Sequence, residues 1–125
     1  MLIDTLTPLE QKLIERFIRE ITGLGEIESI YLFGSRARGG GGLESDVDIA
    51  VVVKERSKIK DLTRRAIDLS LRIEEELNIQ GELQLSPIVI EESLLSEKLG
   101  IGRRITEEGI LLWSGKLQRR KKRGI

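Results

Sequence analysis

The chain has 125 residues, of which 39% are hydrophobic and 34% are charged, and its formal net charge at pH 7 is zero. This length fits one domain with a modest core. The sequence contains no cysteine and no histidine, which excludes disulfides, thiolate and imidazole metal ligands, and Ser-His-Asp catalysis. No stretch is long and apolar enough to span a membrane and the N-terminus lacks a signal-peptide pattern, so we expect a cytoplasmic protein without a membrane partner.

The charges are unevenly distributed along the chain. Residues 116–125 contain six basic residues and no acidic one, which leaves a net charge of −6 on residues 1–115. We expect residues 1–115 to form one domain and residues 116–125 to be a basic, disordered tail, because charge runs are more often solvated ends. Contact of the tail with nucleic-acid phosphates is an alternative that we do not favour.

The first predicted element is a helix after a short lead segment. Thr7 fits the N-cap, Pro8 the first helical position and Glu10 the reciprocal position of a capping box, and Gly23 or Gly25 would end the helix. Apolar residues recur at helical spacing and predict one buried face: Leu9, Leu13, Ile14, Phe17, Ile18 and Ile21.

Two apolar stretches, residues 27–33 and 46–53, are rich in β-branched and aromatic residues and predict strands. The second is apolar on both faces over Ile49–Val53, which is typical of a central strand that is covered on both sides. Between the strands we predict a turn at residues 34–38 and a mobile loop at residues 39–45.

A second long helix is predicted from Ile59 to about Leu77, with a third strand over residues 82–90. Pro87 indicates an edge position or an irregularity in that strand, since proline cannot donate a ladder hydrogen bond. A short helix over residues 91–99, a break at Gly100–Gly102 and a last helical turn to Glu108 complete the expected order. The buried stripe of the second helix is expected to contain Leu62, Ala66, Leu69, Ile73 and Leu77, with Ile59 and Ile67 beside it.

Asp46 and Asp48 stand at the start of the second predicted strand and share one face, because side chains alternate along a strand. Two like charges on one face repel each other. A bound divalent cation would relieve this repulsion, and carboxylate oxygens suit Mg²⁺. The alternative is that both are solvated residues after a flexible glycine loop, but this does not account for Gly34-Ser35-Arg36 directly after an apolar strand.

Gly34 and Ser35 predict a site for the complementary charge. Glycine lets another group approach the backbone closely, and if a short helix starts at Ser35, its free N–H groups attract an anion. The Ser35 hydroxyl adds a possible donor to phosphate oxygens. Arg36 and Arg38 add positive charge in a geometry that matches phosphate. Together these four residues predict a phosphate-binding turn beside a metal site.

The spacing of Gly34-Ser35 and Asp46-Val47-Asp48, with ten residues between them, resembles the signature of minimal nucleotidyltransferases of the DNA polymerase beta superfamily. The segment from Glu107 to Trp113 also resembles the end of many such domains. The resemblance implies an α/β (α+β) fold with a small mixed β-sheet flanked by helices. It further implies nucleotidyl transfer with two Mg²⁺ ions, with AMP moving from the substrate ATP to a hydroxyl of a macromolecular acceptor. The resemblance also makes Gly34, Ser35, Arg36 and Arg38 the expected nucleotide-binding residues.

Small members of this family are similar to the antitoxin of a toxin–antitoxin pair. Their partner is a helical HEPN-type ribonuclease, which is inactivated when AMP is placed on a tyrosine. The resemblance therefore implies two partners for this chain, a nucleoside triphosphate and a HEPN-type protein.

The third predicted strand departs from the family pattern, which usually places a third acid there. Gln84 takes the position of that acid, and Glu82 lies on the same face if the strand begins at residue 82. Glu82 is thus a candidate third catalytic and metal-binding residue beside Asp46 and Asp48. The alternatives are that Glu82 is a surface residue, or that the chain is a catalytically weak or inactive module that neutralises or regulates a partner by binding.

Overall fold

The structure, a computed structural model, describes residues 6–38 and 46–116. The predicted loop 39–45 and most of the predicted tail, residues 117–125, lie outside the described residues, and these expectations stay predictions. The described chain contains, in order, α1 (Pro8–Ile21), β1 (Ser29–Phe33), β2 (Val47–Val53), α2 (Ile59–Glu76), β3 (Leu85–Glu91), α3 (Ile101–Glu108) and β4 (Ile110–Ser114), with short 3-10 helices at Arg56–Lys58 and Glu92–Ser96. Among these elements, no helix has both the length and the apolar character needed to cross a membrane.

The four strands form one mixed sheet in the order β3-β2-β1-β4. β1 runs antiparallel to β2 and β4, whereas β2 and β3 are parallel. The predicted α/β fold with a small mixed sheet is therefore confirmed. β2 is central, and all of its residues except Asp48 are buried, as its apolar sequence predicted. β3 lies at an edge, which is where Pro87 causes least harm to the ladder.

Helices cover both faces of the sheet, and alternation along β2 decides which side chains meet them. Val47, Ile49 and Val51 pack with α1 and α2 in the larger core cluster. Ala50 and Val52 pack instead with Ile105 of α3. Asp48 has the same parity as Ala50, so it lies on the α3 side of the sheet.

The predicted capping box at the start of α1 is confirmed. The Glu10 N–H donates to Thr7 Oγ1 at 3.1 Å, and the Thr7 N–H donates to Glu10 Oε1 at 2.8 Å. The second carboxylate oxygen of Glu10 accepts a hydrogen bond from Arg36 Nε. Because Glu10 and Arg36 are only 6% and 8% exposed, this buried ion pair ties the first turn of α1 to the segment after β1.

β3 begins at Leu85 and not at residue 82, so the expected strand start was wrong. The Ile79 carbonyl accepts the N–H groups of Glu82 and Leu83 at 3.0 and 3.2 Å, and this turn occupies the residues before the strand. The buried carboxylate of Glu74 in α2 then accepts the Leu85 N–H at 3.1 Å. The outward N–H groups of an edge strand have no strand partner. Glu74 therefore provides a hydrogen-bond acceptor for the Leu85 N–H, which has no acceptor in the sheet.

Three further expectations were wrong. Gly100–Gly102 is not a break before the last helical turn, because Gly100 caps α3 with φ +84° and Gly102 lies inside this helix. A Cβ at Gly102 would overlap the Leu94 carbonyl. The predicted helix over residues 91–99 is reduced to the 3-10 helix Glu92–Ser96. Ile67 is 44% exposed and does not flank the buried stripe of α2.

We expect Glu10→Gln to lower the free energy of unfolding by about 2–4 kcal/mol at pH 7, because it removes the charge that faces a buried guanidinium. Burial raises the pKa of Glu10, but the hydrogen bond from the Thr7 backbone and the interactions with Arg36 outweigh it and hold this pKa below its usual value. A carboxyl whose pKa is lowered by folding contributes stability above its unfolded pKa and loses it as the pH falls. Urea unfolding should therefore show a difference from wild type that shrinks below about pH 4.

The matched control for this prediction is Glu75→Gln, which changes an exposed glutamate of α2. We expect it to change the free energy of unfolding by less than about 0.5 kcal/mol. Equal losses in the two variants, or a Glu10→Gln difference that does not depend on pH, would contradict the role of the buried ion pair.

Candidate active site

A tight turn joins the end of β1 to the candidate site. The Gly34 carbonyl accepts the N–H groups of Ala37 and Arg38 at 3.2 and 3.3 Å. Gly34 has φ +76°, a left-handed conformation that glycine adopts without steric cost. The described residues 34–38 thus form the predicted turn.

The turn lies directly against the second aspartate. Phe33 and Asp48 are paired across the antiparallel β1 and β2 strands, so the next residue, Gly34, faces the Asp48 side chain. A Cβ at Gly34 would lie 3.2 Å from Asp48 Cγ and would overlap Asp48 Oδ2. The predicted phosphate turn and one of the predicted metal ligands are therefore in contact.

The charge environment of Asp48 reflects its position between acidic and basic groups. Partial burial raises the pKa of Asp48, and the neighbouring Asp46 charge raises it further, whereas Arg104, Arg36 and Arg38 act in the opposite direction. Asp46 is exposed and Asp48 is half-buried. The mutual repulsion that the sequence predicted is thus present, and a cation at this position would relieve it.

The register of β2 and β3 places neutral residues next to the two aspartates in the sheet. Ser86 is opposite Asp48 in the parallel register of β2 and β3. The Val47 N–H donates to the Gln84 carbonyl at 2.9 Å, so Gln84 stands next to the start of β2. Neither side chain can replace a carboxylate.

Glu82 is exposed and belongs to the turn before β3, so the alternation that put it on the face of Gln84 does not apply. Within residues 6–38 and 46–116, no three His, Cys, Asp or Glu side chains cluster in a way that could hold a metal ion. The catalytic and metal-binding role of Glu82 stays a prediction. Asp46 and Asp48 by themselves fit an Mg²⁺ ion, because this ion takes one or two carboxylates and fills its other positions with water and substrate phosphates.

The two arginines of the turn already have carboxylate partners. Arg36 is buried against Glu10 of α1. Arg38 is exposed and its Nη1 donates to Glu108 Oε2 of α3 at 3.0 Å. The two ion pairs hold the turn between the helices on opposite faces of the sheet, and contact of Arg36 and Arg38 with a nucleotide stays a prediction.

Sequence reasoning missed Arg104, which approaches the site from α3. Its guanidinium carbon lies 6.0 Å from the centroid of the Phe33 ring, and its charge opposes the rise in the pKa of Asp48 that burial and Asp46 cause. No local pattern separates Arg104 from the adjacent Arg103. Its position depends on how α3 packs on β1, which the sequence alone does not specify.

A cavity of about 440 Å³ lies away from this site, at the other end of β2. It is lined by residues that include Leu24, Lys54, Lys58 and Asp61. The lining mixes acidic and basic side chains and contains none of the predicted site residues. The Gly34 and Asp48 region therefore remains the candidate active site on the strength of its chemistry.

Residues 11–117 match the sequence model of the family described as polymerase beta, nucleotidyltransferase. The chain belongs to this nucleotidyltransferase family. The family resemblance that the sequence predicted is thereby confirmed, and the protein is a nucleotidyltransferase enzyme by family.

Individual relatives agree with this assignment. A protein of Methanocaldococcus jannaschii, provisionally named a protein adenylyltransferase, is 27% identical over 85 residues, which cover 66% of this chain and 81% of the relative. A crystal structure from Sulfolobus solfataricus, provisionally named a nucleotidyltransferase, superposes with a TM-score of 0.55 at 26% identity and covers 84% of this chain and 80% of that one. A toxin–antitoxin structure with AMP-PNP gives a TM-score of 0.51 at 19% identity over 89% of this chain and 78% of that one, which shows a shared fold.

We expect Gly34→Ala to weaken Mn²⁺ binding, measured by electron paramagnetic resonance, by about tenfold or more, because the new methyl group displaces the Asp48 carboxylate. The variant should also lose about 1–3 kcal/mol in urea unfolding, owing to its left-handed backbone.

Gly81→Ala is the matched control. Gly81 has φ +82°, but a Cβ there meets no atom within 4 Å. The control should show a comparable loss of stability without a change in Mn²⁺ affinity. Equal Mn²⁺ affinities in the two variants would contradict the contact between Gly34 and Asp48 as a feature of the site.

Proposed function

We propose that this nucleotidyltransferase transfers an adenylyl group from ATP to a hydroxyl of a macromolecular acceptor in an Mg²⁺-dependent reaction. We further propose that the acceptor is a HEPN-type toxin, for which this chain is the antitoxin. The observation that carries the proposal is the contact between the Gly34 turn and the Asp48 carboxylate. An anion site beside a cation site suits a nucleoside triphosphate with its bound metal.

The proposed reaction replaces a phosphoanhydride bond at the α-phosphorus with a phosphoester bond. The acceptor hydroxyl oxygen bonds to that phosphorus, the bond from the phosphorus to the pyrophosphate oxygen breaks, and the hydroxyl proton passes to solvent. When bound, divalent cations supply positive charge that stabilises the phosphate oxygens. The number of ions, two by resemblance to the family, is part of this proposal.

Each residue of the site has a proposed role in that reaction. Asp46 and Asp48 would bind the metal, with Glu82 as the candidate for a further ligand. Gly34 would let the phosphates approach the backbone, and the Ser35 hydroxyl would donate to a phosphate oxygen. Arg36 and Arg38 would keep the turn in place and add positive charge to it.

The relatives support the choice of nucleotide and acceptor. The provisional name of the Methanocaldococcus jannaschii protein specifies an adenylyl group and a protein acceptor. The toxin–antitoxin structure with AMP-PNP shares the fold of this chain, so an antitoxin role and an adenine nucleotide are compatible with this architecture. The HEPN class of the partner rests on the sequence resemblance alone.

A second candidate function is neutralisation or regulation of a partner by binding, with weak catalysis or none. The neutral Gln84 and Ser86 beside the aspartate pair favour this alternative. Such a module would keep the nucleotide site but turn over slowly, because fewer carboxylates hold the metal at the reacting phosphate.

The deciding experiment incubates the protein with α-labelled ATP, Mg²⁺ and the protein encoded by its neighbouring gene. We expect label on the partner, and we expect Asp46→Asn with Asp48→Asn to reduce the rate of labelling by at least about 100-fold, because the metal ligands are lost.

Asp68→Asn, an exposed position on α2, makes the same chemical change outside the site and should leave the rate unchanged. Tight association of the two proteins without label transfer would favour the binding module over the enzyme. Undiminished labelling by the double variant would place the chemistry at another site and overturn the proposal.

A further inference from the structure

Three guanidinium groups lie near Asp48, and their contacts differ. Arg36 contacts the buried Glu10 carboxylate, and Arg38 donates to Glu108. Within the part of the chain that the structure describes, Arg104 forms no ion pair and lies over the Phe33 ring, 6.0 Å from its centroid. Of the three guanidinium groups, Arg104 is therefore the one that no carboxylate of the described residues holds in an ion pair.

Packing of α3 directs Arg104 toward the reacting end of the sheet. Ile105, the next residue, is fully buried against the α3 side of the sheet. Glu108 lies one turn further along the helix, on the same face as Arg104, and it reaches Arg38 in the turn after β1. The two residues thus line the side of α3 that faces the Gly34–Arg38 turn.

The ring under Arg104 belongs to the residue paired with Asp48. Phe33 and Asp48 are opposite each other in the β1 and β2 register, and Phe33 is only 5% exposed. A rigid, buried ring is a suitable support for a guanidinium, which stacks on aromatic faces and keeps its N–H donors at its edge. Arg104 is exposed, so those donors remain accessible to a ligand.

We infer that Arg104 is a nucleotide-binding residue of this active site, whose guanidinium binds phosphoryl oxygens of the nucleoside triphosphate from α3. The assignment rests on the proposed function, since it needs a triphosphate that binds beside the turn and the aspartates. The fork of N–H donors matches two phosphoryl oxygens at once. The charge also balances a ligand whose negative groups lie beside Asp46 and Asp48.

Isothermal titration calorimetry on the full chain tests this assignment, with ATP and with inorganic tripolyphosphate at one fixed MgCl₂ concentration. Arg104→Gln should weaken the binding of both ligands by about 10- to 100-fold, because both carry the phosphoryl oxygens that lose a charged donor. Arg104→Lys should recover part of the affinity, since it keeps the charge but not the fork.

Arg103→Gln is the matched control, because it removes the same charge from the adjacent residue, which is paired with Glu107. It should leave both affinities within about twofold of wild type, because exposed charges at a distance are screened by salt. Equal weakening by Arg103→Gln and Arg104→Gln would reduce the effect to net charge and overturn the assignment. A loss for ATP without a loss for tripolyphosphate would overturn the phosphate contact.

The outcome for wild type separates this inference from the proposed function. If wild type binds ATP and Arg104→Gln binds it equally well, Arg104 has no role and the proposed function survives. If wild type binds neither ATP nor tripolyphosphate, the proposed function fails and the assignment fails with it. Urea unfolding of each variant identifies a loss of fold. If Arg104→Gln does not fold, the stable Arg104→Lys variant decides: an ATP affinity below that of wild type supports the assignment, and an ATP affinity equal to that of wild type would overturn it.

Discussion

The contact between the Gly34 backbone and the Asp48 carboxylate is the constraint on which the site depends. It follows from the antiparallel pairing of Phe33 with Asp48 and from a backbone conformation, φ +76°, that disfavours residues with a Cβ. The contact brings a turn that suits an anion next to a carboxylate that suits a cation. Without this contact, Asp46 and Asp48 would be two like charges at the start of a buried strand, with no phosphate-binding turn beside them.

Two ion pairs hold this contact in place from opposite sides of the sheet. The buried pair between Glu10 and Arg36 connects the turn to α1, and the exposed pair between Arg38 and Glu108 connects it to α3. Buried pairs are costly to break, whereas exposed ones contribute little. The α1 side is therefore the rigid support of the turn, and the α3 side carries Arg104 and has the weaker attachment.

Local sequence signals identified the parts of this architecture that local chemistry decides. Residues close in sequence predict the capping box of α1, the burial of β2 on both faces and the edge position of Pro87. They also predict the signature that places Gly34 near Asp48. Long-range packing decided the rest. Gly102 lies within α3 at a point where the Leu94 carbonyl leaves no room for a Cβ. β3 starts late because the Ile79 carbonyl closes a turn, and Arg104 joins the site only through the packing of α3.

The most direct test of the site is a map of paramagnetic broadening in the amide NMR spectrum of the protein with Mn²⁺ and a non-hydrolysable ATP analogue. The account predicts broadening first at Gly34, Ser35 and Asp48, with the amides of Leu24 and Lys54 at the other end of the sheet unaffected. Broadening centred on Leu24 and Lys54, or broadening of Asp48 that leaves Gly34 and Ser35 sharp, would contradict a joint site for metal and phosphate.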